Sequence, residues 1–177
     1  SVDNNIGKIL NHLKKNNLYD DTMIILTSDN GGLSTINGIA PTSVHPLRAG
    51  KGWLYEGGIK VPLLIKLPKQ YYREIIYEPV VSYDLFPTII NGLDLNYSFE
   101  NIDGNDLLTL LTKDKFNRDY IFWHFPHYHG SLWKPGSAIR YNNWKLVHFY
   151  EDNSKELYNL NEDFSESINL SEIYPKI

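Results

Sequence analysis

Residues 23–32 read Met-Ile-Ile-Leu-Thr-Ser-Asp-Asn-Gly-Gly, an apolar, β-branched run that stops on an acid, an amide and two glycines. The run is short and continuously apolar at first, which predicts a strand buried on both faces. Before it, Val2, Ile6, Ile9, Leu10 and Leu13 recur at helical spacing, with Lys8, Lys14 and Lys15 opposite. Asp3 is expected to cap this helix and Asn16–Asn17 to stop it. A helix that leads directly into a buried strand predicts an α/β sheet with parallel strands.

Further along, residues 33–47 are polar and hold Gly38, Pro41 and Pro46, so they read as a loop. The early glycines of PLRAGKGWLYEGGIKVPLLIKLP argue against a regular element, and VPLLIKL then predicts a second strand closed by Pro68. SYDLFPTIINGL reads as a helix with Ser82 as N-cap and Gly92 just past its end, and Pro87 predicts a kink or a later start. GNDLLTLLT predicts a short helix or turn. From Arg118 the runs DYIFWHF, SAIRYNN, WKLVHFY and KELYNL predict an antiparallel sheet, with Asn142–Asn143 as a tight hairpin turn. The tail EDFSESINLSEIYPKI is expected to form a short helix capping that sheet.

Composition removes several classes of function. The formal net charge is −4 at pH 7, so no basic surface marks a nucleic-acid partner. No apolar run is long enough to span a bilayer. Cysteine is absent, which excludes thiolate ligands and a cysteine nucleophile within these residues. The first residues lack the basic and apolar regions of a signal peptide, and the chain opens on Ser1. A processed or truncated chain is therefore expected.

Three places could carry chemistry. Asp29 and Asn30 stand at the carboxyl end of a strand, where open α/β sheets bind ligands. Their oxygens suit Ca²⁺ or Mg²⁺, but Asp-Asn and Asn-Gly are equally common turn dipeptides. Two ligands cannot complete a hard-cation shell of about six oxygens or more. Lys51 is flanked by Gly50 and Gly52, which would let an anion reach its ammonium and nearby backbone N–H groups; the alternative is an exposed loop lysine. Arg48 could bind an anion or pair with Glu56. In WHFPHYHG, alternate spacing puts His127 and His129 on one face of an extended segment. A zinc pair lacks an evident third ligand there, leaving substrate contact or packing with Phe125, Pro126 and Tyr128. Asp84 and Glu56, acids in apolar settings, require structural partners. Asn-x-Ser patterns occur at Asn96 and Asn169.

Taken together, DDTMIILTSDNGG, PLRAGKGWLYEGGIKVPLLIKLP and SYDLFPTII resemble the second half of a type I, formylglycine-dependent sulfatase of the arylsulfatase type. WHFPHYHG and the segment from Gly136 to Leu160 are similar to the C-terminal antiparallel subdomain of the bacterial members. The resemblance implies the C-terminal portion of an alkaline-phosphatase-like α/β sheet at 1–117 and a small antiparallel β subdomain with a C-terminal helix at 118–177. It implies that Asp29 and Asn30 are the second pair of calcium ligands and that Lys51 contacts the substrate sulfate. His45, Arg48, His127 and His129 fall in regions that shape substrate choice. Lys60 stands where arginine is usual, which keeps the charge but weakens a bidentate contact.

Such enzymes also need a Cys or Ser within a C/S-x-P-x-R block for conversion to formylglycine, and an aspartate pair that opens the metal site. Neither is found in these 177 residues. The resemblance therefore implies part of a sulfuric ester hydrolase, acting on a sulfated small molecule or glycan and partnered by the missing N-terminal half; the alternative is a natural degenerate homologue. Periplasmic or extracellular location is a family expectation. The competing readings are a noncatalytic carbohydrate-binding module, or a phosphatase or phosphonate hydrolase of the same superfamily.

Overall fold

A computed structural model describes residues 1–36, 38–70, 73–98, 100–112, 116 and 118–177. It forms two compact units: Ser1–Leu26 with Leu63–Asn117, and Thr27–Pro62 with Arg118–Ile177. The boundary expected at 117/118 falls on a residue outside those described.

In the first unit, helix α1 (Val2–Lys15) follows the predicted periodicity. Its N-cap position is Ser1 rather than Asp3, which lies in the first turn and complements the helix dipole there. Asn16 closes the helix, donating its side-chain amide to the His12 carbonyl at 2.8 Å, and Asn17 reverses the chain at φ 56°. Strand β1 (Ile24–Thr27) pairs with β2 (Leu63–Lys66) in a two-stranded sheet. Contrary to expectation, β1 is not buried on both faces: Ile24 and Ile25 are half-buried, while Leu26 and Thr27 are exposed. β2 is its only strand neighbour among the described residues, which leaves the strand partly uncovered. Lys66 of β2 donates to the carbonyls of Tyr19 and Thr22 at 2.7 and 3.2 Å, closing the turn that precedes β1.

The SYDLFPTIINGL segment divides. Ser82–Asp84 is a 3₁₀ turn and helix α3 runs Leu85–Gly92, so Ser82 caps nothing with its side chain. Asp84 organises the start instead. Its carboxylate accepts the N–H groups of Val81 at 2.8 Å and Asn105 at 2.9 Å, the structural partnership expected of a buried acid. Pro87 is the third helical residue, where an N–H would find no intrahelical acceptor, so no kink is needed. Gly92 is the last helical residue, and the left-handed position falls on Asp94 at φ 52°. A four-residue helix α4 (Thr109–Thr112) follows.

In the second unit, a single helical turn, α2 (Glu56–Ile59), forms within the glycine-rich block where no regular element was expected. Strands β3 (Tyr120–Phe125), β4 (Gly136–Tyr141), β5 (Trp144–Phe149) and β6 (Lys155–Asn159) make the predicted antiparallel sheet in sequential order. Asn142, at φ 52°, turns the tight β4–β5 hairpin. Alternation places Ile121, Ala138, Lys145, Val147 and Tyr158 on the buried face. Val147, Ala138 and Tyr158 form one core with Trp133, Leu54 and Tyr55 of the glycine-rich block.

The tail after β6 forms turns and no helix. Its short polar side chains capture backbone N–H groups that a helix would have paired internally. Asp163 accepts the N–H groups of Ser167 and Ile168, each at 2.8 Å, and the hydroxyls of Ser165 and Ser167, each at 2.9 Å. Asn169 accepts the N–H of Leu157 on β6 at 3.0 Å. Burial acts to raise the Asp163 carboxyl, but the bonds from Ile168, Ser165 and Ser167 outweigh it and hold it below the usual carboxylate range. A depressed acid stabilises above its unfolded pKa of about 4, and that contribution is lost as pH falls through the lower folded value. Asp163→Asn should therefore destabilise the tail at neutral pH and flatten the acid limb of stability. Thermal denaturation from pH 3 to pH 7 measures both effects.

Candidate functional site

The sequence from Ser28 to Gly32 leaves β1 and turns at once. Asp29 accepts the N–H of Asn30 on Oδ1 at 3.0 Å, and Ser28 donates its hydroxyl to the Asn30 carbonyl at 2.9 Å. Turn and ligand pair thus coexist: the bonds that shape the turn occupy only one oxygen of the carboxylate. Among the described residues, no basic side chain pairs with Asp29. Its exposed carboxylate and the Asn30 amide oxygen fit two positions of a hard-cation shell. No group of three His, Asp or Glu capable of holding a metal occurs among the described residues, so these two complete no site by themselves.

The Asp29 turn is locked to the glycine-rich block through backbone. Gly31 N–H donates to the Gly58 carbonyl and Lys51 N–H to the Gly32 carbonyl, each at 2.9 Å, and Gly57 N–H donates to the Arg48 carbonyl at 3.0 Å. Such approach requires missing side chains. A Cβ on Gly31 would collide with the Gly57 carbonyl oxygen, and one on Gly57 with that of Arg48. A shallow, open cleft of about 420 Å³ lies here, lined by residues including Ser28, Asn30, Val44, Gly57 and Lys60.

Lys51 is exposed and forms no ion pair among the described residues, leaving its ammonium available to an anion. Gly52, at φ 84°, brings the His129 ring against the same turn, since a Cβ there would strike Nδ1. His129 Nδ1 lies 2.7 Å from the Ser131 hydroxyl and 3.2 Å from the Ser131 N–H, which tie the ring to its own loop and leave Nε2 outside these bonds. Trp53 donates to the Ser131 carbonyl at 2.7 Å, joining the 129–133 loop to the block.

The other candidates divide. His127 and His129 lie beyond the end of β3 in a bend rather than in an extended segment, though both rings approach Phe125, at 6.0 and 6.1 Å between centroids. His45 is exposed next to a cis bond to Pro46. Among the described residues, no hydrogen bond or ion pair joins His45 or His127 to Lys51, Asp29 or Asn30. Arg48 lies 3.9 Å over the Tyr55 ring, donates to the Tyr158 hydroxyl at 2.6 Å and pairs with Glu156 at 3.6 Å. Its carboxylate partner is therefore Glu156, and Glu56 pairs elsewhere.

That partner of Glu56 escaped sequence reasoning. Lys145 Nζ, fully buried, lies 3.0 Å from Glu56 Oε1 and 2.8 Å from Glu166 Oε1. Glu166 Oε2 accepts the Glu56 N–H at 2.6 Å. Burial pushes the Glu166 carboxyl up, against the opposing pull of Lys145. The available signal was Lys145 itself, a lysine sharing the buried face of β5 with Val147.

The sulfatase family profile matches residues 1–95, and that of the C-terminal region of N-sulphoglucosamine sulphohydrolase matches residues 49–175. A sulfatase of Formosa agariphila is 35% identical over 190 aligned positions, covering 96% of this chain and 34% of the relative. The crystal structure of Ps i-CgsB in complex with k-i-k-neocarrahexaose is similar at TM-score 0.79 and 31% identity, covering 99% of this chain and 38% of that one. A structure holding its substrate D-glucosamine-2-N,6-O-disulfate is similar at TM-score 0.73 and 29% identity, covering 99% and 35%. The chain thus spans about a third of the length of these relatives.

Two glycines test the packing argument. Gly31→Ala forces a Cβ into a carbonyl oxygen and should destabilise by about 3 kcal/mol or more. Gly7, within α1, has nothing within 4 Å of a built Cβ, so Gly7→Ala should stabilise by up to about 1 kcal/mol. Urea denaturation of the two variants against the parent checks the opposite signs.

Proposed function

Because the chain belongs to the sulfatase family, we propose that the complete protein hydrolyses sulfate esters of a carbohydrate and that this chain supplies part of its active site. The observation that carries this reading is the backbone link between the Asp29–Asn30 turn and the Lys51 turn. It holds two hard-oxygen donors and an unpaired ammonium on adjoining loops. In this reading residues 1–117 belong to the α/β catalytic domain and 118–177 to the C-terminal subdomain.

Asp29 and Asn30 would hold Ca²⁺, the carboxylate through the oxygen that the turn leaves available and the amide through its carbonyl. When bound, the cation neutralises negative charge on a sulfate oxygen. Lys51 binds another sulfate oxygen and opposes the charge that builds as the ester bond lengthens. Nε2 of His129, outside the bonds that Nδ1 makes to Ser131, is suited to a hydrogen bond with a sugar hydroxyl beside Lys51. Arg48, His45 and His127 remain candidates for substrate contact, Arg48 through whatever its bonds to Tyr158 and Glu156 leave available. The formylglycine nucleophile and the remaining metal ligands would come from the N-terminal part of the same domain. No helix among the described residues is long and apolar enough to cross a membrane. A polymeric sulfated glycan does not diffuse through a bilayer, which favours a periplasmic or extracellular enzyme.

In the complete protein, Lys51→Ala should lower kcat/KM for an aryl sulfate and a sulfated oligosaccharide by about 10²-fold, with little change in melting temperature. Asp29→Ala should raise the calcium concentration needed for half-maximal rate. Unchanged rates in both variants would overturn the assignment, and sugar binding without turnover by the parent would point to a carbohydrate-binding module. The 177-residue chain by itself should release no sulfate, because it contains no C/S-x-P-x-R block; turnover near that of the complete protein would sink this expectation.

A further inference from the structure

We propose that Glu166, in the tail, and Lys145, on β5, are positioning residues for the 28–32 and 48–58 loops, which on the sulfatase reading carry the calcium ligands and Lys51. The tail after β6 is then a working part of the sulfate site.

Glu166 grips the glycine-rich block at two points. Its Oε2 accepts the N–H of Glu56 at 2.6 Å, and its backbone carbonyl accepts Arg48 Nη1 at 2.8 Å. Its Oε1 meets Lys145 Nζ at 2.8 Å, and Lys145 reaches Glu56 Oε1 at 3.0 Å. Arg48 and Glu56 bracket Lys51. From them a chain of backbone bonds continues: Gly57 N–H to Arg48 O, Gly31 N–H to Gly58 O, and Lys51 N–H to Gly32 O. A contiguous hydrogen-bonded path therefore runs from a tail carboxylate to both candidate halves of the site.

Two features mark this as more than packing. Apolar side chains of similar volume would fill the space without the cost of burying ions, so what the triad adds is direction: the Glu166 carboxylate fixes the Glu56 backbone N–H, and Lys145 holds the side chains of Glu56 and Glu166 together. Glu166 also adopts φ 53°, a left-handed conformation disfavoured for a non-glycine residue, while its side chain is completely buried. The surrounding bonds over-determine that backbone, as happens where a geometry is held for a function. The bonds of Asp163 to Ser167 and Ile168 set the turn that aims Glu166 inward.

The test uses the complete protein. Glu166→Gln keeps the side-chain shape and leaves a neutral Glu56–Lys145 pair, but its NH2 replaces one of two acceptors that face donors, Lys145 Nζ and the Glu56 N–H, so circular dichroism first establishes that the variant is folded. Lys145→Met is the stronger perturbation and Lys145→Arg the charge-retaining rescue. Hydrogen–deuterium exchange is followed in peptides covering 28–34 and 48–58, with 2–15 as internal reference, alongside kcat and KM for an aryl sulfate. In Glu166→Gln, exchange in both loops should rise and kcat/KM should fall, each by about tenfold, with 2–15 unchanged. Lys145→Arg should recover part of what Lys145→Met loses. Loop exchange equal to the parent in folded Glu166→Gln, or raised equally in 2–15, overturns the proposal. A parent without sulfatase activity would overturn the sulfatase reading alone, and the exchange of the two loops would still decide the positioning role.

Discussion

A lysine ammonium held between two carboxylates, all three closed to water, is the interaction on which the second unit depends. Burying any one of these charges without partners would cost several kcal/mol. The triad is tolerable only because Lys145 meets Glu56 and Glu166 at 3.0 and 2.8 Å and the remaining Glu166 oxygen accepts a backbone N–H. Its members come from α2, β5 and the tail, three segments far apart in the chain. The ion cluster therefore ties the glycine-rich block to the sheet and to the tail.

The glycines of that block do a complementary task. Charge fixes where the block sits on the sheet; missing side chains fix how closely the Asp29 turn can lie against it. Carbonyl oxygens occupy the space where Cβ atoms would stand at Gly31 and Gly57, so the loops meet backbone to backbone. Hydrogen bonds between main chains hold loop positions more narrowly than side-chain contacts with many rotamers. Narrow placement is what a cation ligand pair and an anion-binding lysine require, since electrostatic stabilisation depends on fixed groups rather than mobile ones.

Much of this was legible in the residues. The apolar spacing of α1, the four aromatic-rich strands and the Asn142 hairpin are local patterns, and local sterics and burial enforce them. Asp84 and Glu56 were readable as partnered acids because an unpaired buried carboxylate is too costly. Other readings failed for identifiable reasons. Ser82 and Asp3 have the right chemistry for caps, but Asp84 and Ser1 occupy the positions that matter. The tail was expected to be helical, yet Asp163 takes up the N–H groups of Ser167 and Ile168, and Asn169 that of Ser171, in turns. Arg48 and Glu56 look like a pair in sequence, but the sheet offers each a better-placed partner.

By itself the sequence determined α1, the four strands of the antiparallel sheet, the family and the residue types able to bind a cation and a sulfate, because these follow from periodicity, donor chemistry and motif order. Tertiary structure alone decided which charges are buried together, that Glu166 reaches the motif block, and that His129 lies against Gly52 while, among the described residues, no bond ties His127 to that turn. Those outcomes depend on distances between segments far apart in sequence, up to the 110 residues that separate Glu56 and Glu166. No local pattern encodes such a distance; it appears only when the chain has closed around its buried charges.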